Sequence, residues 1–227
     1  MLFRQLFDSE SSTYTYLIAD INTKEAVIVD SVLEQFERDT NLLNELELNL
    51  RYCLDTHIHA DHITATGKLR QATGCLSIVP KNSQVKCADS YMQHGQVLQL
   101  GAVTIEGIST PGHTNSHMAY LVNNTHLLTG DALFIRGCGR TDFQDGDAGT
   151  LYDCVTKRLF TLPDDTLVYP GHDYKGCTVS TIAEEKLLNP RFAGKTRDDF
   201  VKLMENLNLP FPKKIKQAVP ANRNCGM

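Results

Sequence analysis

The stretch Thr56-His57-Ile58-His59-Ala60-Asp61-His62 decides how the rest of this chain is organised. It follows an apolar run at 50–54 and, together with Asp55, places three imidazoles and two carboxylates within eight residues. Imidazoles and carboxylates are ligands that zinc, iron, manganese and nickel accept. His57 and His59 are two residues apart, so in an extended segment both side chains leave the same face. A polar turn with solvated histidines is the alternative, but this spacing favours a metal site.

Length and composition favour one sizeable globular domain. The chain has 227 residues and a formal net charge of -5, which gives no reason to expect nucleic acid or an anionic membrane as a partner. No apolar run approaches the length that spans a bilayer. The first eight residues are too short and too polar for a signal peptide. We therefore expect a cytoplasmic protein, or a mitochondrial matrix protein if the chain is a processed organellar form.

The cysteines predict reduced thiols. Their number is odd, no two form a CxxC pair, and they are scattered at positions 53, 75, 87, 138, 154, 177 and 225. Such a pattern is typical of a reducing compartment rather than of a disulfide framework. We expect most of them to be small core residues.

Hydrophobic periodicity predicts a strand-rich chain with interspersed helices. The predicted strands are 2–7, 13–19, 25–30, 50–55, 77–79, 97–100, 103–108, 118–122, 126–129 and 166–169. The predicted helices are 31–48, 63–71, 148–161 and 178–188. Sheets packed against each other with helices outside would bury these apolar faces. Periodicity alone leaves the strand order open.

Further candidate ligands follow other predicted strands. His113 comes after strand 103–108 in Pro-Gly-His-Thr, Asp131 comes after strand 126–129, and His172 comes after strand 166–169 in Pro-Gly-His-Asp. Each could be a plain turn. Four strand ends that carry metal-type residues nevertheless favour one shared site, because ligands in layered α/β proteins gather at such ends. His94 and His126 lack this context and are interpreted as surface or strand residues.

Together, T-H-I-H-A-D-H, P-G-H-T, G-D and P-G-H-D resemble the metallo-β-lactamase superfamily over about residues 10–175. The resemblance implies an α/β fold, an αββα sandwich of two mixed β-sheets flanked by helices, with the metal site along one edge. In the general pattern of that superfamily, the first metal has the ligands His57, His59 and His113, the second has Asp61, His62 and His172, and Asp131 bridges the two.

A narrower resemblance, to the persulfide dioxygenase family, rests on the run Gly130–Gln144, on Gly171-His172-Asp173-Tyr174, on Asn189-Pro190-Arg191 and on the tail 220–226. It implies a single domain over 1–227 with a short C-terminal extension from about 176. Glyoxalase II shares G-C-G-R but carries a longer helical C-terminal domain that binds glutathione. Only about 50 residues follow His172, and prolines interrupt them, which favours the dioxygenase.

The narrower resemblance implies one Fe2+ per chain, held by His57, His113 and Asp131. Two imidazoles and one carboxylate form the facial triad of non-haem oxygenases, which leaves positions for substrate and O2. A second metal would occupy those positions and favour hydrolysis. The other metal-type residues would orient the three ligands through hydrogen bonds; they are His59, Asp61, His62 and His172.

The implied reaction is the oxidation of glutathione persulfide by O2 and water to sulfite and glutathione, in sulfide catabolism. Arg191, Tyr174 and Arg140 are assigned to substrate binding, and Arg140 is also expected to hold the site loop. Cys225 resembles a tail cysteine near the substrate channel, and an inert, mobile thiol is the alternative. The resemblance also implies a homodimer.

Two other functions remain open. One is a glyoxalase II-like hydroxyacylglutathione hydrolase with a binuclear metal site, for which the same ligands suffice. The other is a non-catalytic, metal-sequestering module, which the full ligand set disfavours. Metal count and O2 uptake separate the dioxygenase from the hydrolase.

Overall fold

Two six-stranded sheets form the centre of the computed structural model, which describes residues 1–227. The first sheet contains, in spatial order, β1 (Leu2–Asp8), β2 (Thr13–Ala19), β3 (Glu25–Val29), β4 (Asn49–Leu54), β5 (Leu76–Pro80) and β6 (Ser90–Met92). The second contains β7 (Val97–Leu100), β8 (Val103–Ser109), β9 (Met118–Val122), β10 (His126–Gly130), β11 (Leu167–Pro170) and β12 (Ser180–Thr181). Both sheets are mixed, because β3 to β6 pair in parallel and so do β10 and β11, while all other pairs are antiparallel.

Six α-helices surround the sheets. They are α1 (Phe36–Glu45), α2 (Thr66–Thr73), α3 (Ala148–Cys154), α4 (Ile182–Leu188), α5 (Arg197–Glu205) and α6 (Ile215–Asn222). A 3-10 turn at Leu33–Gln35 precedes α1, and a π-helical turn at Val155–Leu159 continues α3. None of these helices has the length and apolar character needed to cross a bilayer.

Strand alternation explains the layers. In β2, Tyr16 and Ile18 face the core between the two sheets, whereas Leu17 faces the other side and packs with Leu43 of α1 and Leu69 of α2. Successive strand residues point to opposite faces, so a strand covered on both sides is apolar throughout. The outer face of the second sheet is covered in the same way by α3, α4 and α5. The predicted αββα sandwich is therefore confirmed.

The C-terminal segment shares the core of the second sheet. Ile182 of α4 and Phe200 of α5 are fully buried in one cluster with Leu127 of β10 and Val168 of β11. This shared core supports the proposal that residues 1–227 form a single domain in which the extension from about 176 is a packed part.

Most predicted elements are present, but four were missed and several boundaries differ. The predicted helix 31–48 is shorter, since α1 covers only Phe36–Glu45, and the predicted helix 178–188 begins with β12. The missed β6 and β12 contain three and two residues, too few for a periodic signal. The missed α5 begins at a capping box formed by Thr196 and Asp199. The missed α6 contains Pro220, which in the sequence indicated an interruption.

Main-chain contacts join the two sheets at one edge of the sandwich. The N–H of Tyr14 donates to the carbonyl of Gly171 at 2.8 Å, and Thr13 forms an isolated antiparallel β-bridge with His172. The N–H of Met118 donates to the carbonyl of Thr56 at 2.8 Å. These contacts bring the loops that follow β4, β8, β10 and β11 together along that edge.

Candidate metal centre

Three side chains from three different loops converge at the joined edge. His57 follows β4, His113 follows β8 and Asp131 follows β10, and one potential ligand atom from each lies within 4.8 Å of the others. The distance from His113 Nε2 to Asp131 Oδ2 is 3.5 Å. His57 and Asp131 are buried, and His113 is half-buried. Strand ends from both sheets therefore bring together the three residues assigned to iron from the sequence.

Hydrogen bonds orient the two imidazoles. The Nδ1 of His57 lies 2.9 Å from Thr56 Oγ1, whose hydroxyl donates to Asp30 Oδ2 at 2.9 Å. The Nδ1 of His113 lies 2.6 Å from the carbonyl of Arg140, which can only accept. In both rings Nδ1 then carries the proton, and Nε2 is left as the free lone-pair nitrogen. Neutral imidazoles with a free Nε2 are the form that binds a metal.

One carboxylate oxygen of Asp131 accepts a hydrogen bond, and the other faces His113. The Nδ1 of His172 donates to Asp131 Oδ1 at 2.7 Å, and the Nε2 of the same ring lies 2.9 Å from Asp61 Oδ2. Burial alone would lower the pKa of His172, but the two flanking carboxylates raise it well above its usual value. His172 is therefore a protonated link between the two aspartates, and Asp131 Oδ2 remains available for a metal.

A second possible ligand set lies beside the first. His59, Asp61 and His62 also offer atoms within 4.8 Å of one another. Asp61 Oδ2 already accepts from His62 Nδ1 at 2.8 Å and from His172. His59 Nδ1 and His62 Nε2 are buried and have no hydrogen-bond partner in the protein. The set thus has two ring nitrogens without a hydrogen-bond partner, and one of the two Asp61 oxygens is already engaged.

Asp30, a strand-end carboxylate, anchors the metal-binding loop. Its Oδ1 accepts the N–H of Thr56 at 2.7 Å and lies 3.0 Å from His59 Nε2. Burial would lower the pKa of His59, but the charge of Asp30 outweighs it and raises that pKa to about 9. Asp30 has a positive φ of 53°, unusual for a residue with a side chain, and the bonds it makes hold it there.

His117 is a site residue that the sequence analysis missed. Its Nε2 accepts the N–H of Asp131 at 3.0 Å, and its Nδ1 lies 2.8 Å from Thr110 Oγ1. The ring stacks on His57 with centroids 5.0 Å apart. Burial lowers the pKa of His117 to about 3, and the proximity of the His113 ring adds to the effect, because two neighbouring imidazoles resist being charged together. Its position four residues after His113 does not by itself indicate the contact with Asp131.

Because Gly139 has no side chain, His113 and Asp131 can approach each other closely. A Cβ at this position would lie 2.7 Å from His113 Nδ1 and 2.5 Å from the carbonyl oxygen of Asp131. Any larger residue would therefore displace a ligand, which explains the second glycine of the Gly-Cys-Gly-Arg motif.

The fold agrees with comparisons to known proteins. The family model described as "Metallo-beta-lactamase superfamily" matches residues 9–172, which include every candidate ligand. The chain belongs to the metallo-beta-lactamase superfamily.

Within that superfamily, the chain is similar to the mitochondrial persulfide dioxygenase ETHE1 of Mus musculus. The two are 48% identical over 229 aligned residues, covering 100% of this chain and 89% of the relative. The crystal structure of ETHE1 from Myxococcus xanthus superposes with a TM-score of 0.97 at 56% identity, covering 100% of both chains. A hydroxyacylglutathione hydrolase-like protein of Mus musculus is 32% identical over 71% of this chain and 58% of its own length. The chain therefore belongs to the persulfide dioxygenase family of the superfamily.

A cavity of about 550 Å³ opens onto the three candidate ligands of this metallo-beta-lactamase superfamily member. Its volume lies in the range of pockets that hold small organic ligands. Phe134, Phe143, Leu209, Phe211 and Ile215 supply much of its apolar lining. An apolar lining of this kind can surround the non-polar part of a ligand.

The three residues assigned to substrate binding all line this cavity but differ in their contacts. Arg191 is half-buried, and its guanidinium donates one hydrogen bond, to the sulfur of Met204, and forms no ion pair. The guanidinium of Arg140 forms two 2.7 Å bonds with Asp142 and a third with the carbonyl of Pro210. Tyr174 is 71% exposed, and its ring lies parallel to that of His172. The guanidinium of Arg191 thus has no ionic partner and can bind a ligand, whereas the guanidinium of Arg140 holds the loop that contains Asp142.

The prediction of reduced, unpaired cysteines is wrong for one pair. Cys87 and Cys225 form a disulfide, with Cα atoms 6.1 Å apart across 138 residues of sequence. Cys225 is buried and does not line the cavity, so it is neither a mobile thiol nor a residue of the substrate channel. The pairing depends on how the tail folds back, which spacing alone does not indicate. Four of the five free cysteines are buried, as predicted.

Proposed function

We propose that this chain is an iron-dependent persulfide dioxygenase that converts glutathione persulfide, O2 and water to sulfite and glutathione in sulfide catabolism. Its similarity to persulfide dioxygenases over the full chain carries this proposal. Within this chain, α4 and α5 pack onto the second sheet, and α6 packs in a cluster with Ile58 and Val79 beside the metal-binding loop.

The donor set fits a single ferrous ion. His57 Nε2, His113 Nε2 and Asp131 Oδ2 are the free atoms of their side chains, and two imidazoles with one carboxylate are the ligands of non-haem iron oxygenases. When bound, iron would supply the reactivity toward O2 that protein side chains lack, together with open positions for sulfur and oxygen. His172 and His117 would steady Asp131 through its Oδ1 and its main-chain N–H.

The cavity complements an anionic thiol peptide. Glutathione carries two carboxylates, and the cavity wall presents Arg191, Lys175 and Lys213, none of which forms an ion pair. We assign Arg191 to one carboxylate, since a guanidinium can bind a carboxylate through two hydrogen bonds. Tyr174 lies at the mouth and offers its ring and hydroxyl to the peptide. Arg140 acts on substrate only through the loop that it and Asp142 hold.

One observation favours the binuclear hydrolase as the second candidate. The free His59 Nδ1 and His62 Nε2 lie in a group that has the arrangement to hold a second metal. Against it, His172 has both ring nitrogens engaged and Asp61 Oδ2 accepts from two histidines. A second ion that takes His172 as a ligand, as in the general pattern of the superfamily, would have to break this network, which ranks the hydrolase below the dioxygenase.

Anaerobic metal analysis followed by an oxygen electrode tests the proposal. We expect one iron per chain and O2 uptake that depends on glutathione persulfide, with sulfite as a product. Two metals per chain, hydrolysis of S-lactoylglutathione and no O2 uptake would reverse the ranking. The homodimer and the cytoplasmic location remain predictions, and light scattering of the purified protein would test the first.

A further inference from the structure

The C-terminal segment closes over the loop that carries the metal-type residues. Asn222, the last residue of α6, is 4% exposed, and its side chain bonds only to the main chain of that loop. Its amide donates to the carbonyls of His59 and His62, both at 2.9 Å, and its oxygen accepts the N–H of Thr64 at 2.9 Å. Both amide protons and the carbonyl oxygen are therefore used on one short segment.

This loop needs such a support because it has little regular structure of its own. Between β4 and α2, the chain forms only bends and one isolated bridge. The carbonyls of His59 and His62 point to Asn222 instead of entering a helix or strand ladder. Buried main-chain groups that lose their partner cost free energy, so the bonds to Asn222 stabilise one loop conformation. That conformation places His57 opposite His113.

A disulfide fastens the same segment. Cys225 follows Asn222 by three residues, is bonded to Cys87 and lies in one buried apolar cluster with Ile58 of the metal-binding loop. Its carbonyl accepts the N–H of Gly67 in the first turn of α2 at 2.8 Å. Cys225 is 2% exposed, whereas Cys87 is partly exposed, so a small thiol can reach the disulfide from the Cys87 side.

We propose that residues 222–226, which we call the C-terminal clasp, set how tightly the metal is retained, and that the Cys87–Cys225 disulfide locks the clasp. Asn222 is the positioning residue, and it acts through the main chain of the metal-binding loop. Opening of the disulfide lets the clasp move, and the metal then dissociates faster. The inference rests on the proposed function only in that the loop holds a metal.

The redox step needs a low-molecular-weight thiol. One thiolate attacks the sulfur of Cys87, forms a mixed disulfide and releases Cys225 as a thiol. A second thiolate displaces Cys87, so two thiols become one external disulfide and the protein gains two thiols. Glutathione, the thiol product of the proposed reaction, belongs to this chemical class. The clasp would thus respond to the thiol pool around the enzyme.

The positioning role is tested by metal retention in Asn222 variants. Asn222→Ala removes all three bonds, and Asn222→Asp keeps the acceptor but places a carboxylate against two carbonyl oxygens. We expect ferrous ion to dissociate to an excess of chelator at least about tenfold faster in both variants, the lower end of the effect of lost outer hydrogen bonds on metal sites. The matched control is Asn224→Ala, because the Asn224 side chain is exposed and bonds only to Pro220 within the tail.

A spectroscopic measurement separates positioning from general loosening of the fold. The visible bands of the cobalt-substituted protein report ligand geometry, and we expect them to shift in Asn222→Asp and to stay unchanged in Asn224→Ala. Both measurements are made well below the unfolding midpoint of each variant. Wild-type dissociation rates together with wild-type cobalt spectra in both Asn222 variants would overturn the positioning role.

The lock is tested by reduction. Mass spectrometry of the unreduced protein is expected to show one disulfide between Cys87 and Cys225. Anaerobic treatment with glutathione, followed by its removal, should speed metal release by about the same factor as Asn222→Ala. Cys87→Ser should release metal fast with or without glutathione, and the control Cys177→Ser, which removes a partly exposed free cysteine, should respond like wild type.

Equal metal release from the oxidised protein and from protein proven to be reduced would overturn the lock, and so would seven free thiols in the untreated protein. Neither result depends on turnover. A protein that retains metal as expected but takes up no O2 would instead contradict the proposed function. The two failures are therefore distinguishable.

Discussion

Thr56→Val should weaken metal binding without removing a ligand. Thr56 is fully buried, and its hydroxyl accepts from His57 Nδ1 at 2.9 Å and donates to Asp30 Oδ2 at 2.9 Å. Valine has nearly the same shape, so the substitution removes the two hydrogen bonds and creates almost no cavity. The His57 ring then has no acceptor that keeps its proton on Nδ1, and Nε2 is no longer held as the free nitrogen.

The magnitude follows from these two bonds. A neutral hydrogen bond contributes about 0.5–1.5 kcal/mol and one to a charged group about 1.5–3 kcal/mol, so the metal-free protein should lose roughly 2–4 kcal/mol of unfolding free energy. Loss of an outer hydrogen bond to a ligating histidine typically reduces metal affinity by about 10–100-fold. That range corresponds to about 1.4–2.7 kcal/mol of binding free energy.

Two assays measure the two effects. Urea unfolding of the metal-free protein gives the stability change, and competition with a chelator under anaerobic conditions gives the ferrous dissociation constant. Thr15→Val is the matched control, because Thr15 is buried and donates one hydrogen bond to the carbonyl of Asp30 but contacts no candidate ligand. It should lower stability and leave metal affinity unchanged. A dissociation constant of Thr56→Val within about threefold of wild type would refute the inferred orientation of His57.

Three further predictions concern the ligands, the substrate cavity and pH. Asp131→Ala should abolish iron binding, and an unchanged iron content on metal analysis would remove Asp131 from the ligand set. Arg191→Ala and Lys213→Ala each remove a cavity cation and should raise the KM for glutathione persulfide about tenfold with little change in kcat, as expected for one lost charged contact. The control Lys216→Ala removes a lysine of α6 that lies outside the cavity and should leave KM unchanged. A normal KM in either cavity variant would contradict a role of that residue in substrate binding. The pKa of His117 is about 3, so the ring stays neutral in the folded state, whereas in the unfolded state it becomes protonated below about pH 6.5. The contribution of His117 to stability is therefore present above about pH 6.5 and is lost as pH falls toward 3. In urea unfolding of the metal-free protein, His117→Gln should reduce the loss between pH 7 and pH 5 by up to about 2 kcal/mol, and an unchanged pH dependence would contradict a neutral buried ring.

Local sequence rules predicted most of the secondary structure because strand alternation and turn residues act over a few neighbours. β2, β8, β9 and β10 lie within one residue of their predicted bounds. The rules failed where a segment is very short or where tertiary contacts stabilise a helix despite a helix-breaking residue. Two residues of β12 carry no periodic signal, and Pro220 is tolerated in α6 because Ala218 and Asn222 of that helix are buried against the rest of the protein.

Part of the candidate site could be predicted from the sequence for a related reason. His57, His113, Asp131 and His172 stand in short motifs at strand ends, where turn residues such as Pro and Gly are visible in the sequence. His117 has no such marker, since it lies just before β9 and acts on the N–H of Asp131. Its role becomes visible only when β9 and β10 are placed side by side in the second sheet.

The sequence by itself determined the layered α/β class, the residues that can bind a metal and the family to which the chain belongs. These depend on residue type and on spacing along the chain. Only the tertiary structure decided which ring nitrogens are free, that Asn222 and Cys225 close over the metal-binding loop, and that Cys87 is the disulfide partner. For the ring nitrogens, the reason is that the partner atoms are set by the packed loops; for the tail contacts, it is distance along the chain, because they join residues from 138 to 163 positions apart.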